Sequence, residues 1–408
     1  MEAILLDFDM TLEKSWRWFG DSDSISLAML RQMDVAGVVT SLYEVPAGNA
    51  WTSEQVSAQH QKIQSHGMRW NVVESLPVAE GIKTHSAEYD QLIQNYIQSM
   101  KALSENGIDR ICYNFMPVLD WARTDLNFQM PNGSVSMQFD YELFAAFDVF
   151  MLKRPGAERD YSRDVLAKAE QVFGQMSREQ VDQITYNIIV VTQSFIHGNV
   201  GDSQNYIGHF LNLLDKYADI GKDQLRQNLK SFLDDILPYA EKYEIKMAIH
   251  PDDPPFPLLG LPRIVSTSED FEWMFNTCKS DMNGMTFCSG SLSIGEEDVC
   301  EMAERFTDTI HFAHLRNNEV TSYRTFHESG HYDGKVDMVN LVSIILREQK
   351  RRADNDMNSV IPIRPDHGLC LLGDDQSKHN PGYPLYGRMK GLAEISGIEA
   401  AILDKGII

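Results

Sequence analysis

Short apolar runs alternate with stretches of helical periodicity along most of the chain. SWRWF (15–19) reads as a strand and SLAMLRQM (26–33) as a helix. GVVTSLY (37–43) is a second strand, followed by a helix from about Thr52, with Thr52 or Ser53 as its cap, to His66-Gly67. RWNVVESLPV (69–78) is a third strand; a long amphipathic helix then runs from His85 to Asn106 and stops at Gly107. IDRICYNFMPV (108–118) is the fourth strand. The rhythm breaks over about 121–220, where LNFQM and SVSMQF flank Asn132-Gly133 and predict a β-hairpin at 126–139, with further helical segments to about Tyr217. It resumes with a helix from about Asp223 to Lys242, then IKMAIH, MTFCS, IHFAHL and VIPIRP as strands five to eight, and LYGRMKGLAEI as a last helix.

Eight strands interleaved with helices predict an α/β fold, a (β/α)8 TIM barrel. It forms one domain over 15–408, after an amino-terminal extension at 1–14 and with an insertion at about 121–220 following strand four. An insertion of that length covers a site or forms an oligomer contact. The alternative, a doubly wound open sheet, carries a glycine-rich phosphate loop after its first strand. Here the first strand leads instead to Gly20-Asp21-Ser22-Asp23.

The late strands end on metal-ligand residue types: KMAIHP at His250, MTFCSG at Cys288, IHFAHLRN at His314 and IPIRPDHG at Asp366. A parallel barrel gathers such ends on one rim, where they could meet around one cation. Imidazole, thiolate and carboxylate together suit Mn²⁺, Fe²⁺, Co²⁺ or Zn²⁺. Each residue alone has a plainer reading: a hydrogen-bonded structural histidine, or a cysteine acting as a small buried hydrophobe. His311 and His314 are an odd number of positions apart, so only one of them faces the barrel, and His314 lies nearer the carboxyl end. Asp366 and His367 diverge if extended, so one can bind metal while the other points elsewhere in the site. The stiff loop Pro251-Asp252-Asp253-Pro254-Pro255 could hold the His250 ring and supply acceptors behind it.

His367 and Tyr383, the latter in NPGY (380–383), are the acid–base candidates. A tyrosine acts as base only where cations lower its pKa, which a metal or Arg388 would do. Arg123 and Arg316 are candidates for holding a carboxylate; Arg17, Trp18 and Asn114 for lining the mouth; His327, read in the loop after strand seven, for contacting substrate.

Charge narrows the partners. A formal net charge of -23 repels phosphate backbones and argues against a nucleic-acid partner. An anionic substrate then needs local cations. No run of about 18 apolar residues suggests a membrane span, and MEAILLDFDM has acids where a signal peptide carries Lys or Arg, so the expectation is a cytoplasmic protein. Five cysteines with no CxxC pair argue against a disulfide framework. ILLDFDMTL (4–12) looks like the haloacid-dehalogenase phosphatase motif, with Asp7 as nucleophile, Asp9 as acid/base and Asp374-Asp375 as a late acidic pair. That motif should open a Rossmann-like sheet, whereas a barrel rhythm begins at Trp16.

WRWFG, GVVTSLYEVPAG, ESLPV, YNFMPVLDWARTDL, LKRPGA, HPDDPP with GLPRIVS, TFCSGS, FAHLRN, TFHESGHYDG, RPDHG and NPGYPLYGRMKGL together resemble the mannonate dehydratase family, in its long bacterial form. The resemblance covers nearly the whole chain from SWRWFG onward. It implies a xylose-isomerase-like barrel, metal ligands at His250, Cys288, His314 and Asp366, and a catalytic pair at His367 and Tyr383. It implies Mn²⁺, with Fe²⁺, Co²⁺ or Mg²⁺ also conceivable, and conversion of D-mannonate, a small aldonate, to 2-keto-3-deoxy-D-gluconate in hexuronate (glucuronate) catabolism. Tyr383 is expected as base and His367 as acid, and the assembly as a homo-oligomer, a dimer. The alternatives are another metal-dependent sugar isomerase or epimerase on the same barrel, and a non-catalytic, metal-stabilised sugar-binding protein.

Overall fold

The computed structural model describes residues 11–194, 205–355, 357 and 360–406, so Asp7 and Asp9 of the phosphatase-like motif lie outside the described residues. Eight parallel strands close into a barrel: β1 (Glu13–Arg17), β2 (Gly37–Thr40), β3 (Arg69–Glu74), β4 (Arg110–Tyr113), β7 (Lys246–Ile249), β8 (Asn283–Cys288), β9 (Ile310–His314) and β12 (Pro362–Arg364). They follow one another around the barrel in chain order, β12 returning to pair with β1. β1 begins at Glu13, paired with Pro362, two positions before the expected SWRWF. Most of these strands are buried on both faces, which explains why they read as short continuous apolar runs rather than alternating ones.

Val39, Val72, Cys112, Ala248 and Phe312 form a small apolar cluster separate from the main core, one residue from each of five barrel strands. It fills the barrel lumen. Two residues further along each strand the side chains return to the same face, so the next layer up holds Glu74, Asn114, His250 and His314. This apolar floor positions the polar site above it.

A second, four-stranded antiparallel sheet is built from two hairpins. The hairpin β5 (Asp125–Gln129) and β6 (Val135–Phe139) turns at Gly133, whose φ of 84° favours glycine, and agrees with the expected hairpin. The hairpin β10 (Asn317–Ser322) and β11 (Thr325–Ser329) was not evident in the sequence, which reads there as a loop. The two hairpins join through the antiparallel β6–β11 pair, where Phe139 opposes Phe326 with stacked rings 5.6 Å apart. His327 therefore sits in a strand, a correction to the expected loop position.

Two of the three glycines in the closing helix, Leu385–Asp404, have opposite roles. A Cβ on Gly387 would lie 1.8 Å from the Leu369 carbonyl oxygen, while one on exposed Gly397 would meet nothing within 4 Å. Gly387→Ala is expected to destabilise by about 1–3 kcal/mol through backbone displacement. Gly397→Ala should stabilise by roughly 0.5–1 kcal/mol through helix propensity. Denaturant unfolding of the two variants should show shifts of opposite sign.

Candidate active site

A cavity of about 40 Å³ opens above the lumen layer and is lined by Arg17, Glu74, Asn114, Asp120, Trp121, His250, Asp253, Arg316, Arg364, Asp366, His367 and Tyr383. It sits at the carboxyl ends of the strands, where barrel enzymes carry their chemistry.

The expected metal ligands converge here. Ligand atoms of His250, Cys288 and His314 all lie within 4.8 Å of one another, and Asp366 Oδ2 is 3.6 Å from Cys288 Sγ. His250 Nδ1 lies 2.7 Å from the Pro251 carbonyl, which can only accept, so Nδ1 carries the proton and Nε2 is left to bind. Ser291 Oγ lies 3.2 Å from Cys288 Sγ. Two imidazoles, a thiolate and a carboxylate fit a divalent ion of intermediate softness. β12 ends at Arg364, and Asp366, with φ 31°, lies outside extended geometry. Strand alternation therefore does not separate it from His367, and both side chains line the cavity.

His311 stays away from this cluster. It is the residue skipped in the β8–β9 register, and its ring packs into the space left by Gly284. Burial, with Lys246, Arg352 and Arg110 nearby, holds the imidazole neutral.

Behind the ligands lies a buried ionic network. Asp253 accepts from Arg123 at 2.8 Å, Arg316 at 2.6 Å and Ser291 at 3.0 Å. Glu328, on β11, accepts from Arg123 at 2.9 Å and sits 2.7 Å from His367 Nδ1. Burial alone would raise these carboxyls; the surrounding cations outweigh it and hold both below the usual carboxylate range. Arg316 Nη1 also approaches His367 Nδ1 at 2.8 Å, but a guanidinium only donates and an ionised carboxylate only accepts. An unprotonated Nδ1 would set its lone pair against buried Glu328, whereas Arg316 keeps Asp253 and Asp366 as acceptors in either case. Nδ1 therefore carries a proton.

Tyr383 packs edge-on against the His367 ring, 4.9 Å between centroids, with its hydroxyl 3.2 Å from Arg17 Nη1. Burial pushes the hydroxyl up to about 12, against the opposing pull of Arg17 and Arg364. Arg388, expected to act on that hydroxyl, instead stacks over the Tyr383 and Trp16 rings and donates to the Tyr383 carbonyl.

Of the other expected contact residues, Arg17, Asn114 and Arg316 line the cavity. Trp18, Arg123 and His327 do not. Trp18 is buried in the main core, its carbonyl accepting from Thr40 Oγ1. Arg123 is fully buried in the Asp253–Glu328 network. His327 stacks on Phe128 at 5.1 Å, because adjacent strand positions face opposite ways and Glu328 takes the inward one. Glu74, Arg364, Trp121 and Glu328 were not singled out in the sequence. Glu74 follows Val72 by two along β3, an alternation from which it could have been found.

Known proteins resemble this chain along nearly its whole length. The family model described as D-mannonate dehydratase (UxuA) matches residues 12–406. A mannonate dehydratase of Marinomonas sp. (strain MWYL1) is 45% identical over 394 residues, 96% of this chain and 99% of the relative. One from Chromohalobacter salexigens is 43% identical over 399 residues, 97% of this chain and 100% of the relative. The crystal structure of mannonate dehydratase from Streptococcus suis serotype 2 superposes with a TM-score of 0.74 at 30% identity, covering 97% of this chain and 94% of that one. With a family model spanning nearly its whole length and relatives matched end to end, this chain belongs to the D-mannonate dehydratase family.

Proposed function

We propose that this barrel dehydrates D-mannonate to 2-keto-3-deoxy-D-gluconate and water with a divalent metal held by His250, Cys288, His314 and Asp366. The dehydration follows from family membership; the observation supporting the metal-assisted reading is the convergence of three ligand atoms within 4.8 Å, one of them from His250, which lines the same cavity as His367 and Tyr383. When bound, the metal would act as a Lewis acid for charge that develops on the substrate carboxylate. Mn²⁺ is the ion we infer.

The substrate C2 proton is poorly acidic and the C3 hydroxyl is a poor leaving group, so one residue must take a proton and another must give one. We assign the base to His367: its Nε2 lone pair can accept the C2 proton, and the imidazolium formed is balanced by buried Glu328. Tyr383, whose hydroxyl is pushed up to about 12, holds its proton at neutral pH and can deliver it to the departing C3 hydroxyl. Arg17 stands beside the phenolate that results. This order is the reverse of the one expected from sequence; it rests on Glu328 standing beside His367 as the partner of an imidazolium. The electron pair from the C2–H bond becomes the C2–C3 double bond of an enol, which tautomerises to the 2-keto acid.

Glucuronate breakdown, a cytoplasmic setting and a homodimer complete the proposal. Among the described residues no helix is long and apolar enough to cross a membrane. The phosphatase reading falls with the fold, which is a closed parallel barrel.

The deciding assay strips the protein with a chelator, restores single metals, and supplies D-mannonate. Formation of a 2-keto-3-deoxy acid only in the metal-restored samples is expected. Full turnover without metal, or isomerisation of aldoses and ketoses in place of keto-acid formation, would overturn the proposal.

A further inference from the structure

The cavity wall formed by Asp120 and Trp121 is held from far along the chain. Gln193, 4% exposed, accepts from the Asp120 N–H at 3.1 Å and donates to the Trp121 carbonyl at 2.6 Å. Its Nε2 also donates to Thr192 Oγ1 at 2.9 Å. A backbone N–H only donates and a carbonyl only accepts, so the amide has one orientation. Gln193 reaches this loop from within the insertion, where the helix Arg178–Tyr186 runs through a π-helical segment, Asn187–Val191, into a last turn, Thr192–Ser194. Such π segments break the ordinary helical register and recur at functional sites. Other side chains hold the preceding backbone: Lys83 donates to the Met116 carbonyl at 2.8 Å and Arg263 to the Leu119 carbonyl at 3.3 Å. Gln193 holds the two residues that follow, and their side chains line the cavity.

We propose that Gln193 is a positioning residue for catalysis: it fixes the Trp121 peptide so that the indole holds the His367 ring at the angle proton transfer requires. The inference rests on the reading of His367 as the base. The two rings lie 5.4 Å apart between centroids. Glu328 holds His367 at Nδ1, and a ring held at one atom can still tilt about that contact. The neighbouring Trp121 and Tyr383 rings limit the tilt. Gln193 itself does not line the cavity, so it acts through Trp121 rather than on substrate. The insertion thereby takes part in the chemistry of the barrel it interrupts.

A double-mutant cycle on kcat tests this, with Mn²⁺ content and thermal unfolding measured on the same preparations. Gln193→Leu keeps the side chain's bulk and removes both hydrogen bonds to the loop. It should lower kcat on D-mannonate by about 10–100-fold, the scale of a small misplacement of a catalytic group, with KM changing less and metal content unchanged. Exchange of the C2 proton with solvent should fall alongside. Trp121→Ala should also lose activity, and Gln193→Leu/Trp121→Ala should be no slower than Trp121→Ala alone, because residues acting through one contact are not additive. Should Gln193→Leu fold poorly, Gln193→Met, unbranched and equally without an amide, carries the cycle. Wild-type kcat in the folded Gln193 variant, a change confined to KM, a loss matched by lost Mn²⁺, or additive losses in the double variant would overturn the inference. A wild type that leaves D-mannonate unchanged, or near-normal turnover by His367→Asn, would sink the underlying reading instead.

Discussion

His367→Asn should lower kcat on D-mannonate by about 10²–10⁴-fold, the range supplied by a positioned general acid or base, while metal content stays at the wild-type level. The variant keeps a planar polar side chain in the cavity but lacks the Nε2 lone pair. Tyr383→Phe should cost a similar order, since it deletes one hydroxyl and leaves the ring packed against His367 and Phe19. The two variants should differ in what they spare. If Tyr383 protonates the leaving group, Tyr383→Phe retains exchange of the C2 proton with solvent deuterium, a step that needs only the base. His367→Asn should lose exchange and dehydration together. Retention of near-normal turnover by both variants would end the assignment, and exchange lost in Tyr383→Phe but kept in His367→Asn would restore the order first expected from sequence.

The second large effect concerns Cys288. It is fully buried, lies at the carboxyl end of β8, and faces Asp366 across the site. Cys288→Ala should weaken metal binding by more than the roughly 10–100-fold that loss of an outer-shell partner costs. The cobalt-loaded variant should lack thiolate-to-metal charge-transfer absorption. His311→Ala, which alters the other histidine of the same strand, should leave the metal stoichiometry unchanged, because its ring packs beside Gly284 and away from the ligands. An unaltered cobalt spectrum in Cys288→Ala would remove the thiolate from the ligand set.

The barrel was legible because its strands are buried on both faces and punctuated by helices, a pattern local in the sequence. The convergence of His250, Cys288 and His314 was legible for a related reason: the carboxyl ends of parallel strands are brought to one rim by topology alone. Alternation correctly separated His314 from His311, although a register shift rather than simple parity sets the position of His311. It could not treat Asp366 and His367, which lie past the end of β12 where extended geometry no longer holds. The selection of His327 over Glu328 shows the complementary limit. The β10–β11 hairpin carries polar residues on its exposed strand and takes its place only by pairing with β6, a contact between distant segments. Arg123 was read as a substrate cation for the same reason: its partners Asp253 and Glu328 come from the loop after β7 and from β11, and only the folded chain reveals that its charge is already neutralised.

The β6–β11 pairing also bears on the order in which the enzyme becomes competent. His250, Cys288 and His314 belong to the strand ends of the barrel itself, whereas Glu328 reaches His367 from a sheet whose halves are contributed by the loop after β4 and the loop after β9. A newly made chain could close its barrel and gather its ligands before those halves meet. It would then be a metal-binding protein with an unoriented histidine, and the docking of two hairpins would be the step that makes it a catalyst.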